Sequence, residues 1–317
     1  MSALAPVEIN RKIPRDPQVV EAGMKVKLIA NPAAGRKAPE KIAAIRARLL
    51  RAGCAIDITI TGGRGDAEEA AAAAAVEDWE RILVAGGDGT LNEAINGLVP
   101  SPIPLGFVPL GTANVLALET GIPGQIADAV DLFLHGCPKR VVTGTAGRRR
   151  FLLMAGIGFD AATVHGMNPL VKRLSGKLAY AVSGLQVFCR GPAAPMTVTL
   201  ENGARISAQG LILGNVKRYG GGFLLFPEAA LEEPLLDVCL FRRLSRTVLV
   251  RCLWRLARGA RIDSPDILRF KTKQAFVEGE KIPVQVDGDP EGTLPMSFAS
   301  STDELWLVMP PEKKPAI

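Results

Sequence analysis

Aromatic residues make up only 5% of this 317-residue chain, and it contains two histidines. A surface that stacks nucleic-acid bases needs several aromatic side chains, so no such surface is expected. The five cysteines are far apart and none forms a CxxC pair: Cys54, Cys137, Cys189, Cys239 and Cys252. Their spacing predicts neither a zinc site nor a disulfide framework, and it favours reduced thiols in a cytoplasmic protein.

Long apolar runs are also absent, since no stretch reaches the roughly 18 residues that a transmembrane helix needs. Residues 1–23 carry charges and prolines without the apolar core of a secretory signal, and we expect a flexible tail there. The net charge of +6 is modest. It favours anionic partners, such as phosphate groups or an anionic membrane, over nucleic acid.

Strand and helix patterns alternate through the first half of the chain, which predicts a doubly wound α/β domain with a parallel sheet at residues 24–140. The second half has mainly strand patterns separated by turns. Its only helical patterns lie near Lys172–Arg190 and Leu244–Gly259. This half predicts a mainly antiparallel β-sandwich domain at residues 141–295.

A glycine-rich turn, GGDGT at residues 86–90, lies between a buried-type strand pattern at Arg81–Ala85 and a helical pattern at Leu91–Leu98. Glycines let the backbone approach a ligand closely, and the N–H groups that open a helix attract phosphate. The segment is neither a Walker A loop nor a GxGxxG dinucleotide motif. Taken alone, it is more typical of an ordinary βα turn.

Two other polar turns also follow predicted strands: NPAAG at residues 31–35 and PLGTAN at 109–114. Thr61 ends the second strand. The carboxyl ends of the strands in a doubly wound sheet meet at one crevice, where ligands bind. These segments are therefore expected to join the glycine turn in one nucleotide site.

The series of motifs resembles the diacylglycerol kinase catalytic-domain superfamily, which includes sphingosine and ceramide kinases and bacterial soluble lipid kinases. GGDGTLNEAINGL (86–98) and PLGTAN are its principal signatures, and the resemblance covers about residues 25–310. Further motifs follow in the family's order: AGIGFDA (155–161), KLAYAVSGL (177–185), GNVKRYGGGFLLFPEA (214–229) and VDGD (286–289). The resemblance also implies that residues 296–311 return to the first domain as a strand.

The resemblance implies an ATP-dependent lipid kinase with Mg²⁺, in which Asp88 orders magnesium or its waters and Asp160 lies near the lipid headgroup. The implied nucleotide contacts are Asn31, Thr61, Gly86, Gly87, Asp88, Gly89, Thr90, Leu91, Asn92, Thr112 and Lys177.

The family's candidate base is the first residue of an Asp-Gly-Glu triplet, which here reads Asp287-Gly288-Asp289. Phosphoryl transfer needs aligned phosphates, charge neutralisation and a group that takes the hydroxyl proton. We therefore expect Asp287 to accept the proton. Asp289 replaces the usual Glu and retains its charge near the metal or phosphates. The same residues also make a good β-turn sequence.

Bacterial relatives often hold a structural magnesium at an Asp-Asp-Gly or Asn-Asp-Gly loop. Here Glu233 takes the position of the Asp and Pro234 that of the glycine. Carboxylate and carbonyl oxygens suit magnesium, so the expected ligands are Glu233 and the carbonyls of Ala230 and Leu235. A loop without metal is the alternative, because Pro restricts φ where Gly would not.

A basic amphipathic pattern spans residues 244–261, where Arg251, Arg255 and Arg258 alternate with Leu and Trp. It is compatible with peripheral contact at the inner face of an anionic membrane, but it is slightly more typical of a helix that packs on the sandwich and keeps its arginines in solvent. The resemblance is also compatible with a homodimer.

The function that these features favour is transfer of the γ-phosphate of ATP to the hydroxyl of a lipid similar to diacylglycerol. A sphingoid base, ceramide or a phosphatidylglycerol-type lipid is an alternative acceptor. NAD kinases share the GGDGT turn, although they lack the PLGTAN and GNVKRYGGG segments. A non-catalytic relative that binds nucleotide or lipid is the third alternative, supported by Glu233-Pro234 and Asp289.

Overall fold

The structure is a computed structural model. It describes residues 23–159, 161, 194–219, 223–258, 262 and 264–311. Several sequence-based expectations lie outside these residues: the tail at 1–22, the substrate residue Asp160, the nucleotide contact Lys177 and the helical pattern at 172–190.

Four parallel strands form the sheet of the first half, in the spatial order β2-β1-β3-β4. Their bounds are β1 Lys25–Ala30, β2 Ala55–Ile60, β3 Arg81–Gly86 and β4 Leu105–Pro109. The helices of this half are α1 Ala38–Arg51, α2 Asp66–Ala75, α3 Asp88–Leu98, α4 Val115–Thr120 and α5 Ile126–His135. All residues of β3 and β4 are buried, as expected for central strands that are covered on both faces.

Helices cover both faces of this sheet. Ile82 and Val84 of β3 pack with side chains of α2, α3 and α4, whereas Leu83 and Ala85 pack with side chains of α1 and α5. Successive residues of a strand point to opposite faces, so the uninterrupted apolar run of β3 supplies both cores. This confirms the doubly wound α/β architecture.

The second half contains the expected antiparallel sandwich. Six strands form one sheet in the order β14-β13-β10-β7-β16-β17. Their bounds are β7 Met154–Gly158, β10 Gly210–Gly214, β13 Leu236–Phe241, β14 Ile267–Thr272, β16 Pro283–Val286 and β17 Asp289–Thr293. The facing strands are β8 Met196–Leu200, β9 Arg205–Ala208 and β15 Gln274–Glu278. Apolar side chains of both sheets, such as Ile157 and Val277, share one core.

The strand β18 (Met296–Met309) joins the two halves. It pairs in parallel with β4 through Leu307 and Leu105. It also pairs antiparallel with β15 and with β5 (Cys137–Ala146), and β5 pairs with β6 (Arg149–Phe151). One sheet therefore continues from the parallel strands into the sandwich. The division into domains at 24–140 with 296–311, and at 141–295, stays a prediction.

Two short strands and one further helix complete the described part of the chain. The strands β11 (Arg218–Tyr219) and β12 (Phe223–Leu224) form a separate two-stranded ladder, and α6 (Arg246–Ala257) follows β13. No helix in the ranges described above combines the length and apolar character needed to span a bilayer.

Candidate active site

The three turns at residues 31–35, 86–90 and 109–114 meet at the carboxyl end of the parallel strands. An ideal Cβ on Gly111 would lie 2.9 Å from the Cα of Gly87, and one on Gly35 would lie 2.2 Å from the carbonyl oxygen of Leu110. A side chain at either position would collide with backbone, so glycine allows this close approach. The structure thus brings together the segments that the sequence analysis assigned to the nucleotide site.

The helix α3 begins at Asp88, immediately after the extended residue Gly87, and no described side chain caps its first turn. The unpaired N–H groups and the positive end of the helix dipole favour a phosphate at this position. Asn31 supports the turn from the neighbouring strand, because its Nδ2 donates to Thr90 Oγ1 at 2.9 Å.

The PLGTAN segment presents an unsatisfied acceptor. Asn114 donates from Nδ2 to the carbonyl of Gly111 at 2.8 Å, but its Oδ1 is buried without a hydrogen-bond partner among the described residues. A nucleotide amino or hydroxyl group could donate a hydrogen bond to this oxygen, which would offset the unfavourable free energy of burying it unpaired. The sequence analysis did not select Asn114. The sequence did contain a signal for this residue, because an asparagine ends the PLGTAN segment. In the structure Asn114 has a φ of 45°, which lies in the left-handed region where asparagine is enriched.

Two other predicted nucleotide contacts differ in their exposure. Thr61 is buried, and its backbone N–H donates to the carbonyl of Ala30 at 2.9 Å. Thr112 is exposed. Both follow a parallel strand on the edge that carries the glycine turn, and their contacts with ATP stay predictions.

Asp88 connects the glycine turn to PLGTAN. Its carboxylate accepts the backbone N–H groups of Val115 at 2.9 Å and Leu116 at 3.3 Å, at the start of α4. Burial raises the pKa of Asp88, and these two N–H donors partly oppose the increase. The carboxylate therefore positions α4 in the described structure, and its contact with magnesium stays a prediction.

Asp287 lies at the tip of the β16–β17 hairpin, and its carboxylate is enclosed by four N–H donors. Oδ2 accepts from Asn92 Nδ2 and the Leu152 backbone, each at 2.8 Å. Oδ1 accepts from the backbones of Leu153 and Met154, each at 2.9 Å. Burial raises the pKa of Asp287 to about 6, although the four donors oppose the increase. A carboxylate has about four lone-pair positions that can accept hydrogen bonds, and these four bonds occupy them.

Asn92 provides the bond from α3 to this hairpin, although Asn92 and Asp287 are 195 positions apart in the sequence. Its Nδ2 also donates to the carbonyl of Arg150 at 2.9 Å, and its Oδ1 accepts from Arg149 at 3.1 Å. Arg149 forms an ion pair with Glu68 on α2. Asn92 was predicted to contact ATP, and here its side chain links the two halves of the protein.

Asp289 faces the glycine turn. Its Oδ2 lies 3.7 Å from the position that a Cβ on Gly89 would occupy. The two residues between the hairpin strands, Asp287 and Gly288, have positive φ of 48° and 88°, as in the type I′ turn that an Asp-Gly pair favours. This turn directs Asp287 toward the interior and brings Asp289 to the amino terminus of α3.

In the loop before β13, two of the three expected metal ligands have partners within the protein. The carbonyl of Ala230 accepts the N–H of Glu233 at 3.1 Å, and Leu235 donates its N–H to the carbonyl of Glu233 at 2.8 Å. The carboxylate of Glu233 forms an ion pair with Lys271. No cluster of three or more His, Cys, Asp or Glu residues suited to a metal occurs within the described ranges. The ammonium group of Lys271 on the Glu233 carboxylate argues against a structural magnesium here, and the three expected ligands stay a prediction.

Family models match both halves of the chain. Residues 25–146 match the diacylglycerol kinase catalytic domain. Residues 154–309 match the YegS C-terminal NAD kinase beta sandwich-like domain. The two matches correspond to the α/β and sandwich architectures described above.

Individual relatives cover nearly the whole chain. A Bacillus subtilis (strain 168) protein named diacylglycerol kinase is 30% identical over 91% of this chain and 97% of its own length. A Pseudomonas putida protein named "Probable lipid kinase YegS-like" is 32% identical over 83% of this chain and 88% of its own. The solved structure of a proposed diacylglycerol kinase from Bacillus anthracis str. Sterne superposes with a TM-score of 0.75 at 26% identity, and covers 90% of this chain and 97% of its own.

Replacement of Asp88 tests whether this carboxylate positions the nucleotide site. We expect Asp88→Ala to lower the free energy of unfolding by about 1–2 kcal/mol, because two N–H groups lose their acceptor. We expect the affinity for Mg-ATP to fall about tenfold, which corresponds to about 1.4 kcal/mol of lost positioning. Thermal melts and isothermal titration calorimetry measure the two effects. Asp128→Ala, an exposed aspartate in the first turn of α5, is the matched control. Unchanged affinity and stability in Asp88→Ala would contradict the assignment.

Burial of Asp287 predicts a pH dependence of stability. The pKa is about 6 in the folded protein, above its ordinary value of 3.8, so protonation favours the folded state. The resulting stabilisation is fully present below the ordinary pKa and is lost as pH rises through the folded value, a change of roughly 3 kcal/mol. Calorimetric melts should show a steeper loss of Tm between about pH 4 and 6 for the wild type than for Asp287→Asn.

Asp78→Asn is the control for this pH profile, because the Asp78 side chain is 79% exposed. Its pH profile should follow the wild type. If Asp287→Asn follows the wild type as well, the buried carboxylate does not titrate in this range.

Proposed function

This chain belongs to the diacylglycerol kinase family of lipid kinases, and we propose that it transfers the γ-phosphate of ATP to the free hydroxyl of diacylglycerol. The name of the Bacillus subtilis relative supports this acceptor. The observation that carries the proposal is the position of Asp289, whose Oδ2 lies 3.7 Å from the Cβ position of Gly89 in the glycine turn. A carboxylate is thus adjacent to the helix terminus that would hold the phosphates.

ATP binds with its phosphates at the amino terminus of α3 and its nucleoside against the turns at residues 31–35 and 109–114. The unpaired N–H groups of α3 bind phosphate oxygens, and the unsatisfied Oδ1 of Asn114 accepts a nucleoside N–H or O–H group. Magnesium that accompanies ATP neutralises charge on the transferring phosphoryl group. The protein keeps the backbone close to the phosphates because Gly87 and Gly111 carry no side chain.

The two aspartates of the β16–β17 turn have different roles in this proposal. Asp289 accepts the proton of the lipid hydroxyl while the oxygen bonds to the γ-phosphorus and the bond from that phosphorus to the β–γ bridging oxygen breaks, which releases ADP. Asp287 positions Asp289, because its own carboxylate is fully used by four N–H donors. This differs from the sequence-based expectation that Asp287 itself takes the proton.

The protein also docks on anionic membranes through α6. Val250 and Trp254 are 55% and 57% exposed. Arg251 and Arg258 are exposed on the same face of the helix, and the guanidinium carbon of Arg258 lies 3.6 Å from the centre of the Trp254 ring. A face that combines tryptophan, an aliphatic residue and arginines suits the interface of an anionic bilayer.

The opposite face of α6 is anchored in the fold, since Val248 and Cys252 are buried with Cys239 and Phe241. The helix also contacts β12, whose Leu224 is 40% exposed and extends the apolar surface. Contacts from β11 to α4 connect this surface to the glycine turn. The helix α6 is therefore linked through packed elements to the segment that Asp88 positions.

Phosphate transfer to a panel of acceptors tests the function and the role of Asp289. Labelled ATP should label diacylglycerol in mixed micelles in preference to sphingosine, ceramide, phosphatidylglycerol or NAD. We expect Asp289→Asn to reduce turnover by about 10²–10⁴-fold, the usual contribution of a general base, without change in the affinity for ATP or in Tm. Asp287→Asn should reduce both turnover and Tm.

Glu291→Gln is the matched control, because Glu291 lies two residues further along β17. It should retain turnover. Label in NAD would identify a NAD kinase, and ATP binding without any transfer would identify a non-catalytic relative. Turnover near the wild-type value in Asp289→Asn would exclude Asp289 as the proton acceptor.

Charge reversal of α6 tests membrane docking. We expect replacement of Arg251, Arg255 and Arg258 by Glu to weaken co-sedimentation with phosphatidylglycerol liposomes at least 100-fold, because each basic residue near an anionic surface contributes about 1 kcal/mol. The wild type should lose its binding when the salt concentration is raised. The matched control reverses Lys41, Arg46 and Arg51 on α1. Equal liposome binding by the two triple variants would refute docking through α6.

A further inference from the structure

Lys271 on β14 directs its ammonium group into the loop in which the sequence analysis expected a metal ion. It is the register partner of Asp237 on β13, and it reaches beyond that strand to the loop that precedes it. Its Nζ donates to the carbonyl of Glu228 at 3.1 Å and to the carboxylate of Glu233. It lies 3.7 Å from Oδ2 of Asp237.

The ammonium group has three N–H donors, and three oxygen acceptors from two segments surround it. The hydrogen bond that Lys271 donates to Glu233, with Asp237 nearby, raises the pKa of Lys271, although burial opposes the increase. The lysine therefore stays charged throughout the neutral range. Its side chain is only 25% exposed, so the interaction is less screened by solvent than a surface ion pair.

The two carboxylates of this cluster need a cation. Asp237 is 14% exposed. Burial raises its pKa, the charge of Lys271 opposes that increase, and the charge of Glu233 adds to it. Without a positive charge between them, the two carboxylates would repel each other in a partly buried position. A divalent ion or an ammonium group could meet this requirement.

The backbone of the loop forms a tight turn directly after Glu233. Leu235 donates its N–H to the carbonyl of Glu233 at 2.8 Å, which closes a three-residue γ-turn centred on Pro234. The fixed φ of proline suits the central position of the common, inverse form of this turn. Glu233 and Pro234, which replace the Asp and Gly of the family loop, are thus part of the same structural arrangement as Lys271.

We propose that the ammonium group of Lys271 is the built-in cation of this loop and takes the place of a structural metal ion. The loop carries Leu231, whose side chain is buried in the core and whose carbonyl accepts the N–H of Val142 on β5 at 2.7 Å. A fixed loop therefore holds β5 against the sandwich. Its conformation does not depend on the concentration of free magnesium.

Thermal melts of the full chain, without nucleotide, test this proposal in EDTA and in millimolar Mg²⁺. The Tm of the wild type should be the same in both conditions. Lys271→Met should lower Tm in EDTA by about 5 °C, because two carboxylates lose their cation. Mg²⁺ should recover a large part of this loss, since the freed oxygen ligands suit a hard cation.

Lys273→Met is the matched control, because Lys273 is an exposed lysine two positions away, and its Tm should stay near the wild type in both conditions. A wild-type Tm that falls in EDTA would overturn the proposal. So would a Lys271→Met variant that is as stable as Lys273→Met, or one that is destabilised but does not respond to Mg²⁺. The readout is stability, so the result is independent of the proposed lipid substrate.

Discussion

The four N–H donors around the Asp287 carboxylate join the two halves of this protein. One donor, Asn92, belongs to the helix that begins at the glycine turn, and the others are backbone N–H groups of the two residues between β6 and β7 and of Met154, which begins β7. A buried carboxylate that is hydrogen-bonded on both oxygens cannot shift without leaving several groups unsatisfied. This constraint fixes the β16–β17 hairpin, and with it Asp289, relative to the helix terminus. Phosphoryl transfer depends on such alignment more than on covalent chemistry by the protein.

Three aspartates near the site have the same side chain and different surroundings. Asp88 accepts two N–H groups at the start of α4, and Asp287 accepts four donors from two segments. Burial raises the pKa of both carboxylates. Asp289 is directed toward the glycine turn. The proposed role of Asp289 therefore rests on its position facing the turn.

Basic residues serve the protein in two ways. On α6, arginines lie in solvent beside an exposed tryptophan, where they can meet an anionic surface whose attraction extends about one Debye length. Lys271 lies among two carboxylates and a carbonyl, where its charge acts only on those groups. A modest net charge of +6 indicates neither role, because the role depends on the position of each charge.

The fold class could be predicted from the amino-acid sequence, because alternating βα patterns and turn-separated strands each favour a single architecture. The family could be predicted as well, from ordered motifs such as GGDGTLNEAINGL and PLGTAN. The internal partners of the polar side chains, in contrast, became apparent from the packed structure. Asn92 donates a hydrogen bond to Asp287 although the two residues are 195 positions apart in the sequence. Lys271 donates one to Glu233, which is 38 positions away. Sequence patterns report local periodicity and turn chemistry, whereas these partners are set by how a helix, a hairpin turn and a loop distant in sequence pack together.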